Sequence, residues 1–186
     1  CMVVNKFVYT IDFGELGTFE AIMDAQGNAM TFDPSQHNPN TLSGTGFFIS
    51  EDGKLITNRH VVSPWLSTRT QNPAGYKVLG QLATNIANIV IGKLQTANTQ
   101  LGITAEQMAK NIQLMRAWAN ARASIGGKSI EISVLLNNTF YNSAKDLITC
   151  QVLKVSEDLK VDIGMIQTNT KTLPPLVKNL VNTSEI

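Results

Sequence analysis

The sequence predicts a mainly β protein with a helical insertion, an antiparallel β-barrel interrupted by an α-helical hairpin. Three observations lead there. β-branched and aromatic runs occupy both ends of the chain. Tight-turn dipeptides separate those runs. The middle of the chain switches to a repeat of 3.6 residues, the period of a helix with one buried face. With 43% apolar and 16% charged residues in 186, the chain has the material for a buried core of one domain.

The elements follow in chain order. Val3–Ile11 is rich in Val, Phe, Tyr and Thr and predicts a first strand. Gly14 and Gly17 punctuate it, and Thr18–Met23 predicts a second strand, followed by a turn at Asp24–Asn28. Asp33–Asn40 (DPSQHNPN) is a polar, proline-bearing loop. Phe47–Ile49 predicts an apolar strand, Glu51-Asp52-Gly53 a hairpin turn, and Lys54–Thr57 the returning strand. From Val78 to Ala97, Leu79, Leu82, Ile86, Ile89 or Val90, and Leu94 recur at helical spacing. Thr104 then opens a second helix, with Gln107 as its capping-box partner and Met108, Ile112, Met115 and Ala119 as its stripe. Gly126-Gly127 ends it, so the pair predicts a helical hairpin. Ser129–Leu136, Phe140–Ser143, Leu147–Val155 and Val161–Gln167 predict the closing strands, with turns at Asn137-Asn138 and Glu157-Asp158. The expected organisation is a barrel of about six strands from residues 1–66 and 128–175, with the insertion at about 67–127.

Charge and cysteine content narrow the function classes. A net charge of +1 gives no electrostatic case for nucleic acid or an acidic membrane surface. No window resembles the long uncharged run of a membrane span. Cys1 and Cys150 make neither a disulfide framework nor a zinc pattern, and no cofactor is predicted. Cys150 lies in an apolar run and reads as a small buried hydrophobe. Cys1 reads either as the lipid-bearing first residue of a mature lipoprotein or as a cut end; the strand pattern that starts almost at once favours the cut.

Histidines number two, so imidazole chemistry has few candidates. His37 sits in the Pro/Asn loop and reads as a solvated loop residue. His60 closes the segment Thr57-Asn58-Arg59-His60-Val61-Val62. The stretch GTGFFISEDGKLITNRHVV, Gly44–Val62, resembles the block around the catalytic histidine of trypsin-like serine proteases of the HtrA-like type. In that family a glycine-rich start, an apolar strand, an Asp/Glu-Gly turn and a returning strand lead into Thr-Asn-x-His-Val-Val. A second block, Ile130–Gln167, is similar to the family's following strands. In its last stretch, Val161-Asp162-Ile163-Gly164-Met165-Ile166, Asp162 falls on the family's triad aspartate.

The resemblance implies the first antiparallel barrel of the chymotrypsin/trypsin-like fold, with peptide or protein substrates and a cell-envelope setting. It makes His60 the general base and then acid, and Asp162 its orienting partner. The chemistry needs those residue types. A serine hydroxyl is a weak nucleophile, a neutral imidazole takes its proton, and a carboxylate fixes the imidazole's tautomer. The family's nucleophile motif, Gly-Asn-Ser-Gly-Gly or a close variant, does not occur. Gly126-Gly127 precedes Asp162, and Ser184 follows it too closely and lacks the glycines. The serine-bearing second barrel is therefore expected beyond Ile186, and this chain alone is expected to be inactive. Two other readings stand beside the endopeptidase: a non-catalytic binding or scaffold module of the same fold, and an interaction protein built on the hairpin. The hairpin itself reads as an ornament, a lid or exosite beside the cleft, or a surface for homo-oligomers. The catalytic assignment requires the His60 ring to lie within hydrogen-bond reach of Asp162.

Overall fold

A computed structural model describes residues 1–12, 18–23, 29–68, 92, 104, 106, 109, 124–137, 141–158 and 160–170. Among the described residues the protein is mainly β. Strands β1 (Met2–Asp12), β2 (Thr18–Met23), β3 (Ala29–Thr31), β4 (Asn40–Phe48) and β5 (Lys54–Thr57) lead into two short helices, α1 (Arg59–Val62) and α2 (Pro64–Thr68). Strands β6 (Ser124–Leu135), β7 (Ile148–Val155) and β8 (Gly164–Thr168) follow.

The contacts divide the chain into two compact units. The first comprises Cys1–Phe7, Asn40–Thr70 and Lys128–Ile186. The second comprises Val8–Pro39 and Gln71–Gly127; within it the later part of β1 pairs with β2, Tyr9 opposite Ala21, and β2 with β3. Val8, Ile11, Ala21 and Ile22 are its buried apolar residues among those described.

Six strands close into an antiparallel barrel in the order β1-β4-β5-β8-β7-β6, with β6 returning to β1. An ion pair of 2.7 Å between Lys6 and Glu131 spans the closing strands. Alternation decides which side chains face in. On β5, Leu55 and Thr57 are buried while Lys54 and Ile56 are half-buried. Leu55 lies opposite Ile166 and Ile132 opposite Cys150, so the inward rows of neighbouring strands meet. With Val3, Val61, Val62 and Val134 they form one apolar cluster. Burying such side chains is the main favourable term in holding the barrel together.

The β4–β5 hairpin turns as its Asp-Gly dipeptide predicts. Gly53 has φ 84°, a left-handed conformation that glycine adopts without a Cβ clash. Asp52 accepts from Lys54 Nζ at 2.6 Å and from the Ser50 hydroxyl, which tightens the turn.

The structure departs from the sequence reading in several places. β1, β4 and β6 begin earlier than expected, at Met2, Asn40 and Ser124, so Gly126-Gly127 lie in a strand instead of ending a helix; β8 begins later, at Gly164, and the short β3 has no counterpart in the sequence reading. Tyr141–Ser143 is not a strand; a 3-10 turn follows at Ala144–Asp146. Local polar capping overrides the β propensity there. Asp146 accepts from the backbone N–H groups of Asn142 and Ser143, each at 2.8 Å, and Ser143 Oγ accepts from Lys145 N. A bulge between Val152 and Lys154 shifts the β7–β8 register. The predicted helical hairpin lies almost wholly outside the described residues; of its positions, Gly92, Glu106 and Ala109 are helical.

Two substitutions test this packing. Leu55→Ala removes a fully buried side chain from the barrel core and should cost about 2–5 kcal/mol in urea unfolding. Gly164→Ala would place a Cβ 2.6 Å from Val62 Cγ2, a stiff branched side chain that is itself buried. It should cost about 1–3 kcal/mol, read as a lowered unfolding midpoint with an unchanged slope.

Candidate active site

His60 is carried on a turn with little freedom. Asn58, in extended conformation, caps α1, and the turn is closed by Val61 N donating to Asn58 O and Ser63 N to Arg59 O. Arg59, Val61 and Val62 are buried. His60 is the exposed residue of the four, its side chain 48% accessible. Buried Asn5 on β1 anchors the turn by donating from Nδ2 to Val61 O at 2.9 Å.

The sheet register brings Asp162 to the same place. Thr57, the last residue of β5, lies opposite Gly164, the first of β8. In an antiparallel pair the residues after one and before the other are neighbours, so Asn58–His60 meets the segment that ends at Ile163. Gly164 also leaves room for Val62 to pack directly over the strand.

The two residues singled out from the sequence are in contact. His60 Nδ1 lies 2.6 Å from Asp162 Oδ2, and His60 N donates to Asp162 Oδ1 at 2.9 Å. Asn58 Nδ2 donates to Asp162 Oδ2 at 3.1 Å and to its backbone oxygen at 3.4 Å. Both carboxylate oxygens are therefore occupied. Desolvation pushes the Asp162 carboxyl upward, but the backbone N–H and ring of His60, the charge of that ring and the Asn58 amide together hold it below the usual carboxylate value.

An ionised carboxylate only accepts, which assigns the shared proton to Nδ1. A neutral His60 ring then carries its lone pair on Nε2, the other nitrogen. Among the described residues Nε2 has no hydrogen-bond partner. The arrangement can thus take a proton at Nε2 while the carboxylate steadies the resulting imidazolium. No group of three or more metal-ligating side chains occurs among the described residues.

The other candidate features fall elsewhere. His37 is half-buried rather than solvated, and its N–H donates to Asp33 O at 2.9 Å. Cys1 and Cys150 are both free thiols. Burial pushes the Cys150 thiol up to about 12, which leaves it unreactive at neutral pH. A groove of about 440 Å³, lined by Asp52, Gln151, Gln167, Thr168, Asn169 and Thr170, lies at the far end of β8 from Asp162.

Sequence reasoning missed three contributors. Asn58 appears only as a motif letter, yet it is a second donor to Asp162. Arg59 occupies the variable position of the motif but is buried, 1% exposed. Asn5 shares the inward parity of Val3 and Phe7, and a lone amide on an apolar strand face is the signal that finds it. Among the described residues no helix is long and apolar enough to cross a membrane.

No protein-family model matches the chain, and comparison with curated proteins and with solved structures returns no match.

The lowered Asp162 carboxyl has a consequence for acid stability. A group whose folded value is depressed stabilises the fold fully above its ordinary value and loses that contribution as pH falls through the folded value. Wild-type stability should therefore fall on acidification below about pH 4, the ordinary carboxylate range. Asp162→Asn should be less stable than wild type near neutrality and converge on it in strong acid. Urea midpoints of the two proteins, measured across that range, check this.

Proposed function

We propose that this chain is the His- and Asp-bearing part of a serine endopeptidase, the first barrel of a chymotrypsin-like domain that cuts peptide bonds in peptide or protein substrates. The observation that carries it is the 2.6 Å contact of His60 Nδ1 with Asp162 Oδ2, with Nε2 left as the available nitrogen. A closed barrel of six antiparallel strands supports it too. So does the chain order, with His60 just after β5 and Asp162 just before β8.

In this mechanism the serine hydroxyl comes from a second barrel C-terminal to Ile186. As the serine oxygen attacks the scissile carbonyl, His60 Nε2 accepts its proton. The tetrahedral intermediate collapses, the C–N bond breaks, and Nε2 returns the proton to the leaving amine. Water then enters, gives a proton to Nε2, and releases the acyl group by the same steps in reverse. Asp162 stays ionised throughout; it holds the Nδ1–H tautomer and stabilises the imidazolium. Asn58 and the His60 N–H each donate to one carboxylate oxygen and hold Asp162 against the ring. The chain has no Gly-x-Ser-Gly-Gly segment to supply nucleophile and oxyanion hole, so residues 1–186 alone have a proton acceptor without a hydroxyl to activate.

The test uses the complete gene product and a fluorogenic peptide. Residues 1–186 alone should show no turnover. In the complete protein, His60→Ala and Asp162→Asn should each lower turnover, Asp162→Asn by about 10⁴-fold, the size of effect seen when a triad aspartate is neutralised. Circular dichroism should show both variants folded. Wild-type turnover in His60→Ala would remove the proposal.

A further inference from the structure

Three consecutive residues of the His60 turn all grip one short segment. Asn58 holds the Asp162 side chain and backbone oxygen, and His60 holds both Asp162 carboxylate oxygens. Arg59, between them, points the other way, into the protein, and donates from Nη1 to the backbone oxygen of Asp158 at 2.8 Å. We propose that Arg59 is the positioning residue of the His60–Asp162 pair, fixing through the Asp158 carbonyl the loop that presents the Asp162 carboxylate to the imidazole. The inference rests on His60 and Asp162 being the working pair.

The Asp158 carbonyl is where the loop is pinned. It also accepts from Val161 N at 3.0 Å and from Ser156 Oγ at 3.2 Å. Asp158 Oδ1 accepts from Lys160 N at 2.9 Å, and Ser156 N donates to Ile163 O at 2.9 Å. These bonds draw Ser156, Asp158 and residues 160–163, Asp162 among them, into one local network. Of the three donors on that carbonyl, two belong to the loop itself. Arg59 ties the carbonyl to the turn that bears His60.

Exposure explains why such a tie is needed. The His60 and Asp162 side chains are 48% and 36% accessible, so water competes for every bond between them. An exposed pair orders poorly by itself, because holding two side chains in one geometry costs entropy that solvent-screened attraction barely offsets. Arg59 is 1% exposed. A charge in that position is costly to bury, and an aliphatic side chain would fill the same volume without that cost. The use of arginine lies in its donors. Its planar guanidinium reaches from a buried stem to a defined carbonyl.

The experiment reads the His60 ring directly in the 186-residue chain by ¹⁵N-resolved NMR, without reference to peptidase activity, so its outcome is separate from that of the turnover test. Wild type should give a slowly exchanging Nδ1 proton and ring nitrogen shifts of the Nδ1–H tautomer. Arg59→Met keeps much of the stem and removes the donors. Its Nδ1 proton should exchange about ten- to hundredfold faster, the population change expected when a charged hydrogen bond is lost. Arg59→Lys should fall between the two. Ile11→Ala is the comparison, since it removes a fully buried side chain outside the apolar cluster that holds the His60 turn; it should lower stability and leave the His60 ring signals of the folded protein as in wild type. If Arg59→Met and Arg59→Lys behave like Ile11→Ala, Arg59 is a core residue only and the proposal is overturned. Should neither Arg59 variant fold, wild type decides. On warming within the folded range, the protected Arg59 guanidinium protons and the His60 Nδ1 proton should be lost together. Loss of the ring proton while the guanidinium stays protected would also overturn the proposal.

Discussion

Everything at the site depends on one steric constraint, a single helical turn that buries three of its four residues. Arg59, Val61 and Val62 face the protein, and the geometry of one turn leaves His60 to face out. The apolar cluster holds Val61 and Val62, Asn5 holds the Val61 carbonyl, and the bare backbone of Gly164 lets Val62 sit down on β8. These groups fix the backbone of His60, and the position of the ring follows. The same register that seats the turn, Thr57 opposite Gly164, delivers Asp162 to its edge.

Stability and chemistry are thereby separated in space. The energy that holds the barrel comes from buried apolar side chains such as Leu55, Val134 and Ile166, each fully inaccessible. The exposed His60–Asp162 contact adds little to that sum, as surface ion pairs do. Its value lies in tautomer and direction: an imidazole with Nδ1 held and Nε2 available differs chemically from a freely rotating one, even at equal stability. Asn58 and the His60 N–H complete the carboxylate's shell, which keeps it ionised against the cost of partial burial.

Much of the architecture is legible in the sequence because it rests on local rules. β2 and β5 fall on the expected residues, and the Asp52-Gly53 turn has the positive φ that its composition predicts. Where local rules compete, the reading failed: the aromatic stretch before Ser143 has β propensity, yet the Ser143–Asp146 capping box made a 3-10 turn. The contact of His60 with Asp162, 102 residues apart in sequence, was accessible through two motif blocks. What surrounds it was not. The burial of Arg59 and its bond to Asp158 depend on how the turn docks onto β8, and no residue pattern in Thr57–Val62 tells an inward arginine from a solvated one. The hairpin expected between Val78 and Ile125 falls almost wholly outside the described residues, and its part in the protein stays with its sequence pattern.

The most direct test of the central claim is covalent labelling of the complete protein with a fluorophosphonate, which reacts with a serine whose proton is drawn off by a neighbouring base. The account predicts one labelled serine, located by mass spectrometry beyond Ile186 in a glycine-rich segment, and loss of labelling in His60→Ala. Absence of a labelled serine, or labelling that is unchanged when His60 is replaced, would contradict it.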